Sequence, residues 1–456
     1  MTTLSTNTPR KLAFKQYLIL ASLLFGLFFG AGNLIFPIHL GQTAGANWLP
    51  AAIGFLLSAI LLPLCAILAL STTQSNSMYD LARPAGKFFA IGFLVLTHAS
   101  LGLLIAAPRT ATVTYSMGIQ PFIPKAWGTL ALVIFSAGFF ALTFGLAFHE
   151  GSVTKNVGKV LNPIFILLMV FLFVVAFLLY GDIRNLPLLP RAGQGTGSLI
   201  NGFLQGYNTM DALAGLGFGV TIITALKAFG QSSRDRSWSV AKVGGLTMGF
   251  EALIYTFLIA LGAASLSFTK VSADGGTAFT EIMRHYTGIM GAGVLAALTF
   301  LACLTTAIGL LTSLAQDLSR QLPRIGYHKI LLTATVISFL IANIGLEKII
   351  EYSAPLLSFL YPLAITLILL GLLKPVLGIK PLIYRITTGI VLIPAVFDFI
   401  HTLPKALLSL VPLAAFDRWA LQAIPLYAVG LDFVPFLGLG LIISLLVSWY
   451  AHHQHS

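Results

Sequence analysis

Apolar runs of about 20 residues, the length that crosses the hydrocarbon core of a bilayer, follow one another along the whole chain with only short polar stretches between them. The pattern predicts an all-α integral membrane protein of about twelve spans, near residues 16–38, 49–71, 88–116, 126–148, 157–180, 199–226, 239–266, 289–317, 329–346, 351–373, 382–402 and 433–451. Residues 403–432 contain proline and mix polar with apolar positions, so an interfacial or re-entrant stretch is expected there instead of a thirteenth span. The first run follows Arg10, Lys11 and Lys15 but lacks a small-residue cleavage site and is too long for a signal peptide, so it is read as a retained span.

Two spans interrupt the helical pattern. In span 1, the run Gly26-Leu27-Phe28-Phe29-Gly30-Ala31-Gly32-Asn33-Leu34-Ile35-Phe36-Pro37 places three glycines and an asparagine at mid-membrane depth. Backbone that leaves the helix there frees amides and carbonyls, which are tolerated only where they face protein, a water-filled cavity or a bound solute. Span 6 is irregular as well, from Gly206-Tyr207-Asn208-Thr209-Met210-Asp211 to Gly219. Five is odd, so a five-span unit that starts at span 6 enters the membrane from the side opposite to one that starts at span 1. Interrupted segments at matching positions of two such inverted halves point to a midplane transport site. The chain is therefore expected to form one domain, residues 1–456, with inverted repeats at 16–180 and 199–373 and peripheral spans at 382–451. Small residues also let membrane helices pack closely, and Gly26 with Gly30 and Gly215 with Gly219 stand four apart as packing motifs do. The matching positions of the two breaks favour the broken-helix site.

Charge then fixes the orientation. Of the 26 basic residues, 17 fall in loops that are cytoplasmic if the N-terminus is, 8 fall in the opposite loops, and Arg109 lies within a span. The positive-inside rule thus predicts cytoplasmic N- and C-termini. The net charge of +12 reads as topology, because the basic residues are spread over six loops and form no nucleic-acid-binding patch. No HExxH, GxSxG or Walker sequence occurs, and no extramembrane segment is long enough for a catalytic domain, which argues against an enzyme or an ATP-driven pump. Cys65 and Cys303 lie in apolar spans and read as small buried hydrophobes.

The breaks dictate a chemistry. A half-helix that begins at mid-membrane turns free N–H groups and a positive dipole end to the cavity, which suits a carboxylate; Gly30, Ala31, Gly32, Asn33 and Leu34 are the candidates. A half-helix that ends there presents carbonyls, which suit a cation or an ammonium group; Gly206, Tyr207, Asn208 and Thr209 are placed for it. A site with both ends accepts a zwitterion. In span 8, Thr305 and Thr306 can add hydroxyl ligands to carbonyls freed near Gly26 and Phe29, a set of oxygens that suits a small hard cation such as sodium, or they can bond back to their own helix. Asp211 either meets the substrate ammonium or titrates during the cycle, or forms a buried pair with Arg109; Glu251 and Asp398 are the other acidic residues singled out within spans. His39 and His98 are left out of the site as satisfied by neighbouring hydroxyls or carbonyls, and His452, His453 and His455 as a solvated tail. Residues 267–288, with Asp274-Gly275-Gly276 followed by an amphipathic run, read as a short external helix that caps the cavity.

The span 1 motif, continued by Leu40-Gly41-Gln42-Thr43-Ala44-Gly45 and Asn47-Trp48, resembles the opening of the bacterial branched-chain amino acid carrier family, and the run Gln205 to Ala214 is similar to that family's span 6. The resemblance covers essentially the full length. It implies sodium-coupled import of leucine, isoleucine and valine on a LeuT-type five-plus-five scaffold, with no prosthetic group and no obligatory protein partner. It also implies a sodium between spans 1 and 8, at Gly26, Phe29, Ala302, Thr305 and Thr306, and a substrate backbone at Gly30 to Leu34. Phe28, Phe29, Tyr207, Met210 and Phe218 suit an aliphatic side chain. Proton coupling through Asp211 or Glu251, and export, are the alternatives within the class. A passive channel is the alternative outside it, but the spans are too apolar and carry no ring-forming charges.

Overall fold

The computed structural model describes residues 12–149, 162–175, 186, 198–228, 233–272 and 274–453. The basic arm through Lys11, both ends of the fifth predicted span and the last three residues of the C-terminal tail lie outside them. Every regular element among the described residues is helical. Eight apolar stretches are long enough to cross a membrane, nine if one bent pair counts as a single span, and Phe14–Phe28 and Tyr327–Ala342 are apolar but shorter. The chain is thus an all-α, multi-pass membrane protein.

Span 1 appears as α1 (Phe14–Phe28) and α2 (Ala31–Ala44), separated by Phe29 and Gly30 in extended conformations. Span 2 appears as α3 (Trp48–Leu56) and α4 (Leu62–Thr72), joined through a wide turn. Span 3 divides too, into α5 (Lys87–Ala99) and α6 (Ala106–Gly118), with a five-residue turn between them in which the Ile105 amide donates to the Ser100 carbonyl at 3.1 Å. Pro108 explains the restart. It has no N–H and its ring clashes with the carbonyl four residues back, so it fits only the first turn of a new helix, where α6 holds it.

After α7 (Gly128–Ala147) and α8 (Asn162–Phe173), span 6 consists of α9 (Ser198–Tyr207) and α10 (Asp211–Ala228), bent by 45°. Then come α11 (Ser233–Ala264) and α12 (Gly275–Gln321). The latter is kinked at Gly288, whose φ of 58° is open to glycine but costly for other residues. The part before the kink is a short helix at the residues where one was expected. Asp274 caps it by accepting from the amides of Gly276 and Thr277 at 2.7 and 3.0 Å. Helices α13 (Tyr327–Ala342), α14 (Leu346–Leu377) and α15 (Pro381–His401) follow, and α16 (Val411–Ala423) and α17 (Phe433–His453) close the chain. At 1.5 Å per residue, α16 is about 20 Å long, too short to cross, as expected for 403–432.

Backbone approaches set the inner packing. Both halves of span 1 lie on α11, α9 lies on α3, and α10 lies on α4. At Gly41 a Cβ would stand 2.0 Å from the Ile259 carbonyl oxygen, and at Gly262 one would stand 2.1 Å from that of Ile38, so α2 and α11 touch main chain to main chain. Gly54 and Gly202 join α3 to α9 in the same way, with Cβ distances of 1.9 and 2.0 Å to the carbonyl oxygens of Leu199 and Ala51. Gly215 and Gly219 are packing positions too, against Pro63 and Ile67.

Two expectations about buried histidines are corrected. His98 is satisfied by a carboxylate, with Nε2 3.0 Å from Asp317 Oδ2, because the end of α12 carries Asp317 inward beside α5. His39 Nδ1 is buried and has no hydrogen-bond partner among the described residues.

Candidate functional site

The two breaks meet at one small central cavity. It has about 20 Å³ of room for the centre of a water-sized sphere, enough for roughly one water. Of the residues singled out in the sequence, Gly30, Ala31, Gly32, Asn33, Thr209, Asp211 and Thr306 line it, together with Phe28, Met210 and Phe218. Leu34, Gly206, Tyr207, Asn208, Gly26, Phe29, Ala302 and Thr305 do not.

On the span 1 side, α2 opens with Gly30 as its cap. The Leu34 amide already donates to the Gly30 carbonyl at 3.3 Å, so the amides with no preceding turn to bond are those of Ala31, Gly32 and Asn33. Asn33 does two things at once. Its Oδ1 accepts from the Gly30 amide at 3.2 Å, and its Nδ2 donates to Asp211 Oδ1 and Oδ2 at 3.1 and 2.9 Å. Tyr255, on α11, completes the cluster by donating to Asp211 Oδ2 at 2.9 Å and by a short contact to Asn33 Nδ2. One amide side chain therefore ties the first break to the second, through groups that are at most 2% exposed. Charge-assisted bonds of this kind hold a carboxylate in place where lipid would otherwise make it costly.

On the span 6 side the chain tightens before it restarts. The amides of Asn208, Thr209 and Met210 donate to the carbonyls of Gln205, Gly206 and Tyr207 at 3.1, 3.2 and 3.0 Å, and Thr209 Oγ1 donates to Gly206 O at 2.9 Å. Met210 takes a φ of 65°, a left-handed conformation that costs a non-glycine residue about 1–2 kcal/mol. The carbonyl end of α9 is thus engaged within its own turn. Tyr207 instead stacks on Tyr361 with ring centroids 3.9 Å apart, and Asn208 lines a separate cavity with Asp398.

The threonine pair separates into two roles. Thr305 Oγ1 donates back to the Ala302 carbonyl at 2.9 Å, while Thr306 Oγ1 reaches across to the Phe29 carbonyl at 3.1 Å. A Cβ at Gly30 would stand 2.6 Å from Thr306 Oγ1, so α12 lies directly against the break. Arg109 also lines the cavity, but among the described residues it makes no ion pair with Asp211. Glu251, one turn before Tyr255 on α11, is fully buried, and neither carboxylate oxygen has a hydrogen-bond partner among the described residues.

Sequence reasoning missed Tyr255, Thr110, Leu101, Ala106 and Leu310 as neighbours of the site. The third break was marked only by Pro108 in front of Arg109, a signal that reads equally as a simple kink. Tyr255 lies 44 residues from Asp211, and nothing local announces their contact.

The profile of the family described as "Branched-chain amino acid transport protein" matches residues 13–451. The chain is 37% identical over 428 residues to the branched-chain amino acid permease BrnQ of Lactobacillus delbrueckii subsp. lactis, covering 93% of this chain and 95% of the relative. It is 36% identical to the branched-chain amino acid permease BraB of Bacillus subtilis, covering 92% of each. It is 33% identical to the branched-chain amino acid transport system 2 carrier protein of Pseudomonas aeruginosa, covering 86% of this chain and 88% of the relative. Among solved structures it is similar to Mhp1, a nucleobase-cation-symport-1 family transporter in a closed conformation with bromovinylhydantoin bound. The TM-score is 0.53 at 15% identity, over 91% of this chain and 96% of that one, a likeness of fold alone. The relatives are permeases and carriers, and the chain is a transporter and not an enzyme. It belongs to the family of branched-chain amino acid transport proteins.

Proposed function

We propose that this chain is a secondary active symporter that imports leucine, isoleucine and valine across the bacterial inner membrane, with sodium as the coupling ion and both termini in the cytoplasm. The observation that carries the reading is the junction of the open N-terminus of α2 with Asp211 in one cavity. A free helix N-terminus favours a carboxylate and a buried aspartate favours an ammonium group, so the pair suits a zwitterion. Leu27, Phe28, Met210, Phe218 and Leu310 complete the wall with aliphatic and aromatic surface, fit for a branched aliphatic side chain such as leucine's. One methylene changes the affinity of such a pocket by about 1–3 kcal/mol, so the three substrates are poorly separated.

A cavity with room for roughly one water admits leucine only if helices part. Alternating access between two five-span inverted repeats, 16–180 and 199–373, with the last two of twelve spans peripheral, supplies that motion. The packing supports the repeat: both halves of span 1 rest on α11, in span 7, and both halves of span 6 rest on span 2, the exchange that an inverted pair requires. The ion reading draws support from the Phe29 carbonyl and the Thr306 hydroxyl, with Ala302 and Thr305 alongside on α12. Hydroxyls donate one bond and accept two, so both threonines can turn lone pairs to an ion; Gly26 supplies the remaining carbonyl in this arrangement.

Proton coupling is the second reading, and fully buried Glu251, whose carboxylate has no hydrogen-bond partner among the described residues, is the observation that favours it. Radiolabelled leucine uptake into proteoliposomes under imposed sodium or proton gradients decides between them, with isoleucine, valine and alanine as competitors. Accumulation driven by an inward sodium gradient, and lost in Thr305→Ala with Thr306→Ala while the protein stays in the membrane, is the expected result. Unchanged sodium dependence in that double variant removes the ion site, and saturable uptake driven by protons alone moves the coupling to a proton, with Asp211 and Glu251 as the candidate carriers.

A further inference from the structure

Arg109 lines the central cavity and is 2% exposed, yet Nε and Nη1 have no hydrogen-bond partner among the described residues. The Phe36 ring lies 5.1 Å from its guanidinium carbon. That contact serves the face of the cation and leaves the N–H donors, which lie in the guanidinium plane, unmet. The carboxylate of the cavity, Asp211, is engaged by Asn33 and Tyr255. A buried charged donor without an acceptor is costly, so the arrangement is stable in use only if an anion joins it.

The position of the guanidinium says where. Nη2 lies 2.8 Å from the place a Cβ would occupy at Gly32, which sets Arg109 against the first turn of α2. The amides of Ala31, Gly32 and Asn33 are free in that turn. A helix N-terminus and an unpaired guanidinium thus converge on one wall of one cavity. A planar guanidinium matches a carboxylate with two parallel N–H donors, which a helix end alone cannot do.

We propose that Arg109 binds the carboxylate of the transported amino acid, together with the first-turn amides of α2. The inference rests on the amino acid substrate proposed above. It assigns Gly32 a reason as well: a Cβ there would stand 2.8 Å from Arg109 Nη2 and 3.1 Å from the Asn208 carbonyl oxygen, so any side chain displaces the guanidinium.

Equilibrium binding to the purified full-length protein tests this, with leucine compared to leucinamide, which has the same side chain and ammonium group but no carboxylate. Arg109→Gln is expected to weaken leucine roughly 10- to 100-fold, the range for a charge-assisted hydrogen bond, and to leave leucinamide unchanged within about twofold; Arg109→Lys falls between. Equal loss of both ligands marks a structural role and overturns the proposal, as does wild-type protein that binds leucinamide as tightly as leucine. If Arg109→Gln fails to fold, Gly32→Ala, which keeps the arginine but shifts it, carries the same selective expectation, and an unselective loss there overturns the proposal. Wild-type protein that binds neither leucine, isoleucine nor valine overturns the substrate reading, and the anchor with it.

Discussion

The breaks in spans 1 and 6 stand at matching places in the chain and solve the same problem in opposite ways. At the first, only Phe29 and Gly30 leave the helix, and α2 starts with amides that have no turn before them. At the second, three residues tighten into successive turns, and the carbonyls of Gln205, Gly206 and Tyr207 are taken up by amides just ahead. The first break offers backbone to the cavity. The second consumes its backbone and offers one side chain, Asp211. An interrupted helix therefore does not by itself say which groups become available; the length of the interruption and the turns inside it decide that.

Substitutions can break or sharpen this contrast. Gly30→Val has the largest expected effect, because the new Cβ meets Thr306 Oγ1, Cγ2 and Cβ at 2.6, 2.8 and 2.9 Å. Overpacking costs about 1–3 kcal/mol and here falls on the open break, so leucine uptake should vanish while surface biotinylation or immunoblotting of membranes still finds the protein. Retained uptake would mean that the amides of α2 are not the ligand surface. Asp211→Asn comes next. It removes the charge that Asn33 and Tyr255 hold, and each such bond contributes about 1.5–3 kcal/mol, so uptake should fall by roughly tenfold or more without lost insertion; normal uptake would reduce Asp211 to a structural residue. The smallest effect belongs to Tyr207→Phe. The Tyr207 hydroxyl is buried without a partner among the described residues, and Tyr207 does not line the central cavity, so leucine KM should stay within about twofold, and a larger change would bring the end of α9 back into the site.

Much of the scaffold was legible because membranes impose few solutions: spans follow from apolar length, and Asn33 beside three glycines announces a break that lipid cannot host. The helix ahead of the Gly288 kink was legible too, from Asp274-Gly275-Gly276 followed by an amphipathic run. Contacts between distant spans were not. The engagement of Asp211 depends on Tyr255, whose place opposite Asn33 is set by glycine contacts between α2 and α11 that give no signal of register. The pairing of Arg109 with Asp211 was a fair expectation from charge alone. It is replaced by separate fates for the two residues because Asn33 reaches the carboxylate. Thr305 and Thr306 are neighbours in sequence, yet helical geometry points one at its own carbonyl and the other at span 1, a distinction that only the facing of α12 reveals.

The glycine contacts also divide the molecule mechanically. Where α2 meets α11 and α3 meets α9, main chain touches main chain from both sides, and such a joint works like a key in a slot: it permits neither sliding nor rotation without steric collision. Where α1 meets α12, the contact at Gly309 is with the end of the Leu27 side chain, 2.6 Å from a would-be Cβ, and at Gly30 with the Thr306 side chain. Side chains change rotamer, and backbones in contact do not. The start of α12 is keyed as well, because a Cβ at Gly275 would stand 2.0 Å from the Ile35 carbonyl oxygen; the seam between α1 and the later part of α12 is the one that can yield by side-chain rearrangement alone.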